Sequence, residues 1–69
     1  MTLKEISRGY REAARLLRRR LSELRSQLRQ ETDPERRWQL RRRIAELTPV
    51  LTQLNELAEL TEHYYDKEF

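Results

Sequence analysis

Apolar residues recur along the first part of the chain at Leu3, Ile6, Tyr10, Ala13, Leu17, Leu21, Leu24 and Leu28. Steps of three and four keep one stripe on one face of a helix, so this segment predicts an amphipathic helix with a seam for another helix. Thr2 is placed to cap it, Glu5 three residues later to close a capping box, and Met1 to pack against Ile6 as a hydrophobic staple. The pattern stops at Gln30-Glu31-Thr32-Asp33-Pro34-Glu35. There either Asp33 caps a new helix with Pro34 in its first position, or Thr32 caps it with Glu35 closing the box. A second stripe follows at Leu40, Ile44, Leu47, Leu51, Leu54, Ala58, Thr61 and Tyr65. Pro49 falls inside it. Thr48-Pro49 could begin a third helix, but the heptad keeps its phase across the proline, which favours one kinked helix.

The expected fold is therefore all-α, an antiparallel two-helix hairpin forming a single domain over residues 1–69. Its helices cover about 2–30 and about 35–66, with a turn at about 31–34 and a kink near Pro49. With 69 residues, no cysteine and 36% apolar residues, such a hairpin has little from which to build a core of its own. Val50, Leu57 and Tyr64 lie seven apart beside the second stripe and widen its apolar face beyond what one partner helix covers. Val50, Leu54, Leu57 and Tyr64 are thus the expected dimer interface, two hairpins making a four-helix bundle as a homo-oligomer.

Charge changes the picture further. Residues 8–43 hold thirteen arginines against five acids, a net of +8, while the rest of the chain carries −5, for the whole-chain net of +3. In a hairpin turning near residue 33 the basic block is the turn end, and the two chain termini share an acidic end. Arg18-Arg19-Arg20 and Arg41-Arg42-Arg43 lie nearly equidistant from the turn and are expected to meet as one belt. Arg8, Arg11, Arg15, Arg18, Arg25 and Arg29 form a stripe facing away from the seam, interrupted by Ser22. Guanidinium forks suit phosphate oxygens and carboxylates alike, whereas an ordinary solvated face mixes signs more evenly. The expected polyanion-binding residues are Arg11, Arg15, Arg18, Arg19, Arg20, Arg41, Arg42 and Arg43. Trp38, between Arg37 and Arg41, is the one aromatic placed to stack on a base, though a ring folded over the turn explains it more simply. No helix-turn-helix, zinc or basic-zipper pattern supports base-specific reading.

Catalytic chemistry has no foothold in this pattern. Ser7, Ser22 and Ser26 have no base at helical spacing, and no phosphate loop or paired core carboxylates occur. Glu59 and His63 at i,i+4 make a poor metal site without cysteine or a second histidine. Gly9 reads either as a helix defect or as a place where backbones approach closely. The expectation is a non-enzymatic, cytoplasmic binding or regulatory protein without cofactor, metal, small-molecule substrate or membrane partner. It would engage nucleic acid or an acidic protein through its arginines. The alternative is an adaptor, inhibitor or assembly factor acting through the apolar face of the second helix.

In layout the chain resembles the Rop family of plasmid regulators, helical hairpins that dimerise into four-helix bundles and bind paired RNA loops through helix faces. The run Leu57-Ala58-Glu59-Leu60-Thr61-Glu62-His63-Tyr64-Tyr65, with Ile6-Ser7-Arg8-Gly9-Tyr10, resembles uncharacterised small proteins of Firmicutes mobile genetic elements. That second resemblance implies no activity, and it favours a regulator or inhibitor of a host or element protein.

Overall fold

The computed structural model describes the backbone of residues 2–67 and the side chains of residues 2–64, so the Met1 staple and the Tyr65 side chain lie outside the described residues. Helix α1 spans Leu3–Gln30 and helix α2 spans Pro34–Lys67, with no strand among the described residues. The capping box at the start of α1 is complete. The Glu5 N–H donates to Thr2 Oγ1 at 3.2 Å, and the Thr2 N–H donates to Glu5 Oε2 at 3.3 Å.

The turn consists of Glu31, Thr32 and Asp33, and its backbone donors are satisfied locally. Glu31 leaves the helical conformation, its N–H still bonded to Gln27 O at 2.9 Å. One carboxylate oxygen of Glu31 accepts from the N–H groups of Thr32 and Asp33 at 3.2 and 3.1 Å. Of the two caps the sequence allows, the chain uses Asp33, whose Oδ1 accepts from the Glu35 N–H at 3.2 Å; Pro34, which has no N–H to satisfy, is the first helical residue. Arg37 then reaches back from α2. Its Nη1 donates to Leu28 O at 2.7 Å and to Glu31 O at 2.9 Å, satisfying carbonyls that the end of α1 would otherwise leave bare.

Pro49 does not break α2. Its ring and the Ala45 carbonyl that loses a donor are on exposed positions where water can serve, while Leu47 and Leu51 on either side stay in the seam. The helices pack antiparallel as a rod of 55 × 16 × 14 Å. The radius of gyration, 15.9 Å, exceeds the ~11 Å of a globular domain of this length, so most of each helix surface is wet.

Inside the seam the rows follow a strict four-three alternation, 3-7-10-14-17-21-24-28 on α1 and 37-40-44-47-51-54-58-61 on α2. The most buried residues are Ser7, Ala14, Leu21, Leu24 and Ala58. Two of these differ from the apolar stripe read along the sequence, which placed Ile6 and Ala13 inward. The chain instead turns Ser7 and Ala14 into the seam and leaves Ile6 and Ala13 half-buried on its edge. Small side chains suit this end because the helices approach closely there: Ser7 Oγ lies 3.5 Å from Ala58 O. Leu17, Leu47, Leu51 and Leu54 are only half-buried, since one neighbouring helix covers a seam residue from one side. Gly9 sits in open space with nothing within 4 Å of a Cβ built on it, so no close approach requires it.

Candidate polyanion-binding surface

Two hydrogen-bonded pairs define one edge of the hairpin. Arg11 clasps Glu62 with both ends of its fork, Nε to Oε1 and Nη2 to Oε2, each at 2.9 Å. Seven residues on, Arg18 Nη2 reaches Asn55 Oδ1 at 3.5 Å. These positions belong to the heptad rows 11-18-25 on α1 and 41-48-55-62 on α2, so Arg25 and Arg41 continue the same edge toward the turn. Arg8, Arg15 and Arg29 flank it on the outer side of α1.

Electrostatics divide this edge in two. At the termini end Arg11 and Arg15 are compensated, while Arg8 is exposed without a carboxylate within 4 Å among the described residues. The Arg11 hydrogen bonds hold the Glu62 carboxyl down at about 2 and raise the Arg11 guanidinium. Ser7 helps to hold Glu62, because its 3.5 Å contact with Ala58 O is at the limit of a hydrogen bond and the same proton can turn to the carboxylate. Arg15 pairs with Glu12 at 2.6 Å. Toward the turn compensation stops: Arg25, Arg29 and Arg41 are exposed, and among the described residues none has a carboxylate within 4 Å. Trp38 lies beside them and is 60% exposed. Its ring does not cover the turn; it stacks with Arg42, whose guanidinium carbon is 5.5 Å from the ring centroid while Nε pairs with Glu46 at 3.1 Å.

The two arginine triplets both lie in the turn half of the hairpin but do not gather on one side. Three consecutive helical residues fan over about 200°, so each triplet is shared out around its helix. Arg18 and Arg41 lie on the edge just described, and Arg19 and Arg42 on the outer backs of the helices. Arg20 and Arg43 line a groove on the opposite edge, with Leu24 and Leu40 in its floor and Arg36, Gln27, Gln30 and Gln39 around it. This groove was not visible in the sequence, since no spacing within one helix tells which residues of two helices share a side.

Farther along the groove edge, toward the chain termini, the surface becomes apolar. Row 36-43-50-57-64 carries the arginines of the groove wall into Val50, Leu57 and Tyr64, which are 42%, 41% and 57% exposed. Leu60 and Leu16, not singled out in the sequence, are as exposed as these. Leu54 has a different place, half-buried on the seam between α1 and α2. Glu59 and His63 lie exposed on the outer side of α2, and among the described residues no three metal-ligating side chains converge. No described helix is long and apolar enough to cross a membrane.

No protein-family model, curated protein or solved structure matches the chain.

Proposed function

We propose that this is a non-catalytic, cytoplasmic regulatory protein that engages a polyanionic partner, nucleic acid or an acidic protein surface, through the arginine edge of its turn half. The observation that carries this reading is that Arg18, Arg25 and Arg41 on this edge, and Arg29 flanking it, are exposed without a carboxylate within 4 Å among the described residues, whereas Arg11 and Arg15 farther along are paired with Glu62 and Glu12. Rigid guanidinium forks about 10 Å apart, seven residues along one helix, present donors to successive anionic groups. Trp38 beside them adds a flat apolar surface. Contacts of this kind read backbone and charge and carry no base specificity.

The test is fluorescence anisotropy with labelled duplex RNA, duplex DNA and polyglutamate across a salt series. Arg25→Glu with Arg41→Glu should weaken binding and flatten the slope of log affinity against log salt by about 0.9 for each duplex phosphate no longer neutralised. Lys4→Glu with Lys67→Glu changes net charge equally and should leave the slope alone. Equal losses from both pairs would reduce the effect to net charge, and no binding to any of the three probes would overturn the proposal.

Exposed Leu16, Val50, Leu57, Leu60 and Tyr64 favour a second reading, association with another helical protein through the opposite edge. The two readings use different edges and are separable by mutation.

A further inference from the structure

Among the described residues Trp38 is the large apolar side chain that stands exposed in the basic half of the hairpin. Leu16, Val50, Leu57, Leu60 and Tyr64, the other exposed side chains of this kind, share the opposite edge with one another. Trp38 has no such apolar company. A ring folded over the turn would be buried, and this one is 60% exposed. Its neighbours are cations. Arg37 is occupied by the carbonyls of Leu28 and Glu31, and Arg42, against the indole, by Glu46. Arg41, one turn of α2 past Trp38 and about 4.5 Å along the axis, is exposed without a carboxylate within 4 Å among the described residues, as are Arg25 and Arg29 on α1. Glu35, one turn before Trp38, stands at the tip of the hairpin. A chain that covers the ring and runs away from the tip therefore meets bare guanidinium groups.

The occupant of this place has two tasks, to supply anionic oxygens and to cover an indole. An acidic protein surface performs the first and leaves the ring wet. A duplex keeps its bases stacked inside and offers phosphates and sugars on its outside. A single strand performs both, because each nucleotide carries a phosphate and an unpaired base with an apolar π face.

We propose that the polyanion held by the arginine edge is a single-stranded nucleic acid, with one unpaired base stacked on Trp38 and phosphates against Arg41, Arg25 and Arg29. This rests on the arginine-edge reading and names its ligand. Stacking tolerates any base, so the site grips a strand without reading its sequence. With one aromatic in the basic half, the stack holds one base. Removing the ring and removing the bases should therefore cost the same part of the affinity, and neither should matter once the other is gone.

The experiment is a titration of the full chain with oligothymidylate, an abasic strand with the same number of phosphates, a duplex of equal length, and polyglutamate. Trp38 is the sole tryptophan of the chain, so indole emission reports on this position alone. Oligothymidylate should quench it strongly, and the abasic strand should not. Trp38→Ala should leave helical circular dichroism unchanged and lower the affinity for oligothymidylate about five- to hundredfold, to the level of the abasic strand. Its salt slope should match wild type, because no phosphate contact is lost. Affinity for the abasic strand and for polyglutamate should not change, and Trp38→Phe should recover part of the loss. Two results would overturn the proposal while the arginine-edge reading stands: a Trp38→Ala variant that binds oligothymidylate as tightly as wild type, or a wild type that binds duplex or polyglutamate as tightly as the single strand. Absence of binding to all four probes overturns both.

Discussion

Arg37 is the arginine whose role the structure defines most sharply, and replacing it separates structural from ligand-binding cations. Arg37→Met keeps the aliphatic stem and half-buried volume but removes the donors that hold Leu28 O and Glu31 O at 2.7 and 2.9 Å. Hydrogen bonds from a charged donor contribute ~1.5–3 kcal/mol each. Water can partly replace them at this half-exposed site, so the loss for the pair is expected at about 1.5–3 kcal/mol. Against the roughly 3–10 kcal/mol typical of a chain of 69 residues, that is a large share. Arg37→Lys retains a cation at the C-terminus of α1, worth ~0.3–1 kcal/mol, but both bonds come from the single nitrogen Nη1 at the tip of the guanidinium, and the lysine stem, one atom shorter, leaves its ammonium short of the two carbonyls. Its loss should be intermediate, about 1 kcal/mol. The assay is urea unfolding followed by helical circular dichroism at one protein concentration, because association shifts apparent stability. A methionine variant within ~0.5 kcal/mol of wild type would refute the clamp, and a lysine variant as stable as wild type would reduce it to charge alone. In buffer where it remains folded, Arg37→Met should bind polyanions as wild type does, since this guanidinium is already occupied by backbone.

Burial predicts that Leu21→Ala, at 1% exposure, costs about 3 kcal/mol, whereas half-buried Leu51→Ala costs about 1–2 kcal/mol; equal losses in urea unfolding would contradict the seam described above. Acid should weaken the hairpin through Glu62. Its carboxyl is held at about 2 against an ordinary 4.5, so the stability it contributes is full above about pH 4.5 and fades as pH falls toward 2. Thermal melts across this range should show a steeper fall in wild type than in Glu62→Gln, and parallel curves would exclude the Arg11 pair as the cause. Gly9→Ala, with open space around the added Cβ, should stabilise by about 0.5–1 kcal/mol; destabilisation in urea unfolding would reveal a packing constraint at this position.

Local chemistry made much of the fold legible in the sequence. Thr2 with Glu5 is a capping pair three residues apart, so the start of α1 follows from short-range geometry, while for α2 the sequence narrowed the cap to Thr32 or Asp33 and the structure uses Asp33. The heptad phase retained across Pro49 likewise pointed to a single second helix, because a loop resets the phase and a solvent-facing proline need not. Other features depend on both helices at once and were decided only in the tertiary structure. Steps of three or four at positions 6–7 and 13–14 fit a helical stripe equally well; close approach to Ala58 selects small Ser7 for the interior against the more apolar Ile6, and Ala14, seven residues on, is buried in the same row. Arg37 looks like any other basic residue until the turn brings it to Leu28 O. The arginine triplets suggested one belt because they stand at similar distances from the turn along the sequence, but each fans around its own helix, so packing divides them between two edges and the outer backs. Sequence spacing sets where a residue stands along a helix and at what angle. The neighbour against which that angle is measured, and hence whether a side chain meets protein, a groove or water, exists only once the second helix is in place.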